Sequence, residues 1–307
     1  MLSVFFNKSK PIQYVVLAIA LLLIFIITKS GSLDTQFNGI WLMKQFGIFL
    51  IVMGSIFVFD FFVTKNKLTQ KNSYKMLLFV IFIAILPNTM MNSNIVLANL
   101  FLILALRRLL SLRTHRQVKK KLFDSAFWIS LATLCYFWCA VYFILIFIAL
   151  LVYTFTDIKN YIIPLVGIAA VLIISVSYRI VMGIDIFSGI ANFTSYSLDF
   201  STLNNKRIIV GATVLFSFGL WSLFYFLKNI KSKMKSYRPT FKLIVITIIL
   251  SLLIIMLAPE KNGSEFMFLF APLAITITNY VEMISENWFK ESFLWALVLT
   301  PIIISIL

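Results

Sequence analysis

The residues that could carry chemistry in this chain are one acid and a few bases on short polar segments between long apolar runs. Asp34 follows the first apolar run, and Arg179, Lys206 and Arg207 lie at the two ends of the longest polar break. A carboxylate in such a place can accept a proton from an acceptor hydroxyl, and cations can stabilise a departing phosphate. The set predicts Asp34 as a general base and the three cations as phosphate-binding residues.

A second cationic group occupies residues 107–121, RRLLSLRTHRQVKKK, which also contain the only histidine. The simplest interpretation is an anchor that holds the preceding apolar segment against anionic lipid headgroups on the cytoplasmic side. A phosphate or lipid-headgroup site built from Arg107, Arg108, Arg113 and Lys121 is the alternative. We expect Asp124 to begin the next helix, where its carboxylate meets the positive end of the helix dipole, and to pair with Arg107 or Arg108.

Several chemistries lack the residues that they need. A single histidine excludes di-iron centres and disfavours haem ligation. Cys135 and Cys139 are four residues apart on one predicted helix face, which completes neither a disulfide nor a zinc site. We therefore predict no metal and no cofactor. The net charge of +16 is spread over several loops and is explained by membrane topology, so we predict no nucleic-acid partner.

Composition places the chain in the membrane class. It is 61% hydrophobic and 12% charged, against about 45–50% and about 25% in soluble domains. We predict an all-α polytopic transmembrane bundle of about eleven helices (9–11) forming one integral-membrane domain, 1–307. The candidate spans are 11–28, 43–63, 76–87, 95–106, 122–136, 138–155, 161–178, 208–227, 243–258, 266–283 and 292–307.

The basic residues predict the orientation of these spans. If the N-terminus is inside and the spans alternate, 21 of the 27 Lys and Arg residues lie on the cytoplasmic side, as the positive-inside rule requires. The short pair within 76–106 either crosses fully or re-enters, and both choices keep this parity. The segment 178–207 is semi-polar and aromatic, which is typical of an interfacial helix lying on the membrane.

The order of the predicted segments resembles a known enzyme fold over residues 1–180. Short helix pairs follow two spans, and a basic inner loop leads into LFDSAFWISLATLCYFWCAVYFILIFIALLVY (122–153), as in multi-spanning glycosyltransferases of the C-type fold. This resemblance implies a sugar donor linked to polyprenyl phosphate at the outer leaflet. The chain departs from those enzymes in its first outer loop, which is short and has one acid, where they carry a long loop with an acidic motif.

A second resemblance is carried by ALRRLLSLRTHRQVKKKLFDSAFWISLATLCYFW (105–138). It is similar to an uncharacterised multi-pass family of Bacteroidetes, especially flavobacteria, and implies a bacterial inner membrane without an assigned activity. Sparse polar residues and 32 phenylalanines are typical of spans that pack on other spans.

Three functional interpretations follow. The first is a non-catalytic component of a cell-envelope complex, in contact with membrane lipid and membrane-protein partners. The alternative is a glycosyltransferase that binds polyprenyl phosphate. The third is a transporter, which the sequence disfavours because the spans hold few ionisable residues beyond Asp60, Arg179 and Glu282.

Overall fold

The computed structural model describes residues 1–30, 39–185, 195–259 and 261–306. Within these ranges the chain forms twelve α-helices and no strand, which confirms the all-helical class. The helices are α1 (Leu2–Phe6), α2 (Pro11–Ser30), α3 (Gly39–Lys65), α4 (Tyr74–Ile85), α5 (Ser93–Leu110), α6 (Val118–Cys135), α7 (Phe143–Val152), α8 (Lys159–Val181), α9 (Lys206–Ile230), α10 (Arg238–Leu257), α11 (Met267–Met283) and α12 (Asn287–Ile306). The predicted number of about eleven is corrected to twelve for the described ranges, where the five-residue α1 lies outside every apolar run of spanning length.

Among the described residues, eight segments are long and apolar enough to cross a membrane. They are α2, α3, α8, α9, α10, α12, α5 extended to Thr114, and α11 extended back to Ser264. The other predicted spans coincide with helices that are too short or too charged. The helix α4 has 12 residues, about 18 Å at 1.5 Å per residue, whereas a bilayer core is about 30 Å thick.

The apolar run 122–155 folds as two helices, as predicted. The first ends at Cys135, because Tyr136 has an extended backbone with φ −149° and ψ 107°. A 3₁₀ turn over Phe137–Tyr142 then leads directly into α7. The break therefore comes from backbone conformation within a continuous apolar sequence, which composition does not mark.

The segment 178–207 lies in part outside the described residues. In the described part, α8 ends at Val181, residues 195–200 have no regular structure, and a 3₁₀ turn covers Ser201–Leu203. The interfacial helix stays a prediction.

Backbone packing divides the described residues into two compact units. Unit 1 is Met1–Val96, Phe200–Lys233 and Lys261–Leu307, and unit 2 is Leu97–Asp199 and Met234–Glu260. Each unit combines segments that are distant in sequence. The organisation of the whole chain as a single domain stays a prediction.

The centre of unit 1 is built on α4 and α11. Every residue of α4 except Ala84 is buried, as expected of a helix that is apolar on all sides. In the span that contains α11, 89% of the apolar stretch is buried. The rings of Phe79 and Phe270 join the two helices, with centroids 6.0 Å apart. Gly219 of α9 leaves room for Leu273 of α11.

In unit 2 the helices α6 and α8 cross closely at a glycine. A Cβ atom added to Gly167 would lie 2.9 Å from the Cβ of Ala126 and 2.9 Å from the backbone oxygen of Phe123. Small residues at such crossings let helix backbones approach in membrane proteins. Elsewhere in this unit, the hydroxyls of Tyr142 and Ser251 lie 2.9 Å apart and join the 3₁₀ turn before α7 to α10.

We expect Gly167→Leu to lower the thermal unfolding midpoint of the purified protein in detergent micelles. The backbone oxygen of Phe123 cannot move aside like a flexible side chain, so overpacking should cost about 1–3 kcal/mol or more. Gly54→Leu is the matched control, because nothing lies within 4 Å of its added Cβ. The midpoints are measured from the loss of helical circular dichroism on heating. Equal midpoints for the two variants would contradict the close crossing.

Candidate functional site

The structure places the predicted outer residues in different parts of the chain. Asp34 lies outside the described residues, so its role as a base stays a prediction. Arg179 is in the last turn of α8 in unit 2, where its guanidinium donates to the backbone oxygen of Asp185 at 3.0 Å. Lys206 and Arg207 begin α9 in unit 1 with exposed side chains.

The predicted ion pair in the basic stretch is confirmed. Arg108, in the last turn of α5, lies 2.9 Å from the carboxylate of Asp124. The predicted place of Asp124 at the start of a helix is wrong, because α6 begins at Val118 and has no acid in its first turn. The carboxylate therefore acts as a partner for the arginine one and a half turns into the helix, where the dipole effect has largely decayed.

Other cations of the same stretch also contact protein groups. The guanidinium carbon of Arg113 is 3.7 Å from the ring centroid of Tyr237, within cation–π range. The ammonium group of Lys121 donates to the backbone oxygen of Ser111 at 2.6 Å and to the hydroxyl of Thr114 at 2.8 Å. These contacts close the turn between α5 and α6. Phosphate binding by Arg107, Arg108 and Arg113 stays a prediction.

A buried ion pair in unit 1 joins α3 to α4. The ammonium group of Lys75 lies 2.9 Å from Oδ1 of Asp60, and the two side chains are 1% and 14% exposed. The same ammonium donates to the backbone oxygen of Asn72 at 2.9 Å. The hydroxyl of Tyr14 donates to Oδ2 of Asp60 at 2.9 Å. Both carboxylate oxygens therefore have a partner.

A second carboxylate continues this network on α11. Glu282 accepts a hydrogen bond from the side-chain amide of Asn72 at 2.6 Å and from the backbone N–H of Gln70 at 2.8 Å. One turn earlier, the Asn279 side chain donates to the backbone oxygen of Leu68 at 3.0 Å. The loop between α3 and α4 is thereby attached to α11. We call Tyr14, Asp60, Asn72, Lys75 and Glu282 the inner polar cluster.

The N-terminal helix is attached at the same end of unit 1. The carboxylate of Glu291 accepts the backbone N–H groups of Leu2 at 2.5 Å and Ser3 at 2.9 Å. The hydroxyl of Tyr74 donates to the backbone oxygen of Ser3 at 2.5 Å. Gln13 accepts from the hydroxyl of Ser73 at 2.6 Å. Polar contacts therefore connect α1, α2, α4 and α12 where the spans end.

Lys75 is the residue that sequence reasoning missed, because it was counted with the solvated lysines of its loop. Two signals could have found it. Lys75 is the second residue of α4, and Asp60 stands alone in the apolar sequence of α3. A short loop between consecutive helices brings such positions together. Lys75 adds a buried ionisable residue in the short helix α4, beside the span α3 that holds Asp60.

Unit 1 holds further buried charges in the segment before α11. Lys261 and Glu265 are 1% and 2% exposed. The Glu265 carboxylate accepts backbone hydrogen bonds from Asn262, Gly263 and its own residue. The ammonium group of Lys261 lies 4.7 Å from the ring centroid of Phe200. Gly263 supplies the positive φ of 90° that lets the loop fold around the carboxylate.

The described part of the chain brings no group of three or more His, Cys, Asp or Glu side chains together as a metal site. The groups of the inner polar cluster make ionic and hydrogen-bonding contacts. A Lys–Asp pair with a tyrosine hydroxyl can hold helices in one arrangement or carry protons when a path reaches it.

The helices and their buried charges define a polytopic α-helical membrane protein with eight candidate spans in the described residues. The chain belongs to the Family of unknown function (DUF6427), whose model matches residues 1–306. We found no match among curated proteins or among solved structures.

We expect Lys75→Met to lower the stability of the protein by about 3–5 kcal/mol, because it leaves the Asp60 carboxylate buried without its cation. The double variant Asp60→Asn/Lys75→Met should recover part of this loss, since it removes both charges. Thermal unfolding in micelles compares the wild type, Asp60→Asn, Lys75→Met and the double variant.

Lys71→Met is the control for this cycle, because Lys71 is an exposed lysine of the same loop. It should change stability by no more than about 0.5 kcal/mol. A double variant that is as unstable as the sum of its two single variants would show that Asp60 and Lys75 do not interact.

Proposed function

We propose that the protein is a non-catalytic component of a cell-envelope complex in a bacterial inner membrane. The observation that supports this best is the pairing of its buried and partly buried charges with fixed protein partners. Asp60 is occupied by Lys75 and Tyr14, and Glu282 by Asn72 and the backbone of the loop. Groups held in this way favour one arrangement of the helices, as expected of a scaffold.

The surroundings of the cluster also favour a structural role. The pocket beside Tyr14 has a volume of about 10 Å³ and is otherwise lined by apolar residues such as Leu17 and Phe57. A volume of about 10–15 Å³ accommodates one water molecule. Substrates or hydrated ions need more space to reach a catalytic or transported-ion site.

Two helices offer apolar faces to lipid or to partner spans. In α2 and α8, 22% and 17% of the apolar stretch is buried within the protein. Exposed side chains on α8 include Leu172, Ile173 and Ile174. Lipid covers such faces, and other transmembrane helices can replace lipid by packing against them. These faces support membrane lipid as one partner and spans of other proteins as a second.

The orientation that we propose has the N-terminus in the cytoplasm. Support comes from the contacts of helix ends within each unit. In unit 1, α1, the loop after α3 and the end of α11 share the inner polar contacts. In unit 2, Arg113 lies over Tyr237, and Tyr153 lies 3.1 Å from Thr240. The alternating topology assigns all of these segments to the cytoplasmic side, where positive charge is favoured.

Cysteine labelling in intact cells tests this orientation. In a background with both native cysteines changed to alanine, we expect Lys235→Cys to react with a membrane-impermeant maleimide only after permeabilisation. Ser201→Cys should react in intact cells, because residue 201 lies in the proposed outer segment and is exposed. Labelling of Lys235→Cys before permeabilisation would show that residue 235 is outside, and the proposed orientation would be reversed.

The second candidate function is a glycosyltransferase of the C-type fold that uses polyprenyl phosphate. The observation that favours it is the exposed pair Lys206 and Arg207 at the amide end of α9, where anions are stabilised. Ile208 follows this pair in α9, and it lies close to Gly263 in the loop before α11. A Cβ atom added to Gly263 would be 3.5 Å from Cδ1 of Ile208. Asp34 would supply the base in this candidate.

Purification from native membranes distinguishes the two functions. After mild solubilisation, we expect the tagged protein to retain another membrane protein in a fixed ratio, because its uncovered helices pack on partner spans. An unrelated multi-pass protein purified in parallel controls for adventitious association. A polyprenyl phosphate retained in place of a protein partner would overturn the scaffold proposal and support the transferase.

A further inference from the structure

A cavity of about 370 Å³ opens in unit 1 at the connection between α11 and α12. Its walls include the rings of Tyr225, Tyr280, Trp288 and Phe289 and the acidic side chain of Glu286. Pockets for small ligands have volumes of roughly 300–1,000 Å³. The cavity is therefore large enough for a small organic ligand or the headgroup of a lipid.

One wall of the cavity is fixed and the other faces outward. Tyr280 is buried, and its ring centroid lies 5.0 Å from that of Tyr225 on α9. Trp288 is 68% exposed, yet its indole N–H donates to the carboxylate of Glu286 at 2.6 Å. The indole and the carboxylate are therefore held together at the mouth of the cavity.

The lining of the cavity favours positive charge. Aromatic faces carry the negative lobe of the ring quadrupole and attract ammonium groups. Glu286 adds a full negative charge, and none of the residues that line the cavity is a lysine or an arginine. The carbonyl end of α11 and the amide end of α12 meet here, so their dipoles oppose one another and the rings and carboxylate decide the preference.

We propose that this cavity binds an organic ammonium group. The aromatic walls match its methyl or methylene groups, and Glu286 balances its charge. Because the cavity lies where two candidate spans are joined, the group can reach it on a phospholipid such as phosphatidylethanolamine. A water-soluble amine such as choline carries the same chemistry. An interfacial aromatic belt without a ligand is the competing explanation for these rings.

Two measurements on the full chain in maltoside micelles test the proposal. Native mass spectrometry should show phosphatidylethanolamine retained in preference to phosphatidylglycerol when both are added equally. Calorimetric titration with choline should show saturable binding if soluble amines are the source. Either result supports the site and identifies the source of the ammonium group. If neither phosphatidylethanolamine nor choline binds, the rings form only an interfacial aromatic belt, and the proposal is overturned.

Substitutions then assign the binding to this cavity. Glu286→Gln keeps an acceptor for the Trp288 indole but removes the charge, and Trp288→Leu removes one aromatic wall. Each should raise the Kd by roughly two- to fivefold, the effect expected of one cation–π or charge contact at an exposed site. Asp157→Asn and Trp295→Leu change an exposed acid and an exposed tryptophan that do not line the cavity, and should leave the Kd unchanged. Equal Kd values for all four variants would contradict the assignment of ammonium binding to this cavity.

Discussion

The hydrocarbon core of a bilayer offers no hydrogen-bond partner to a peptide group or a charge, and this constraint explains where the polar contacts of the protein lie. The spans satisfy their backbone groups within helices. The buried charged side chains of unit 1 lie near helix ends or in the loop before α11, and each has protein partners. The Asp60–Lys75 pair, with 2.9 Å between its charged atoms, is the clearest case. An isolated charge in its place would be strongly disfavoured.

The same constraint accounts for the short helix α4, which has 12 residues and cannot match the thickness of a bilayer. Its position is set by protein contacts, since nearly every side chain is buried. At its first turn, Tyr74 and Lys75 bind the backbone of α1 and the carboxylate of Asp60. At its other end, Pro87 begins a 3₁₀ turn. A short helix is tolerated in a membrane protein when other helices replace the lipid around it.

The inner polar cluster and the aromatic cavity have different physical characters, although α11 contributes to both. In the cluster, Glu282 is bound by the loop after α3, and its hydrogen bonds join parts of the protein. In the cavity, Tyr280 and Trp288 border open space of about 370 Å³. Satisfied polar groups stabilise a particular arrangement, whereas an open aromatic pocket with a carboxylate leaves binding capacity for a ligand.

Part of the site could be predicted because its partners are close in sequence. The pairing of Arg108 with Asp124 follows from a short turn between two helices. The burial of Lys75 could not be assigned in the same way, because its distance from Asp60 depends on how the loop between α3 and α4 attaches to α11 through Asn72. The local pattern shows only that Lys75 adjoins the apolar run of α4, whereas Lys71 is exposed in the polar loop before it.

The sequence by itself determined the helical membrane class and the approximate positions of the helices, because long apolar runs can satisfy their backbone in a bilayer only as helices. Tertiary structure alone decided which helix faces are covered and which charges are buried. A helix such as α4 is apolar on every side, so its sequence contains no preferred face. The crossing at Gly167 and the neighbours of Tyr280 depend on packing between segments distant in the chain. Such contacts are selected by the fit of whole helix surfaces, which local sequence patterns do not encode.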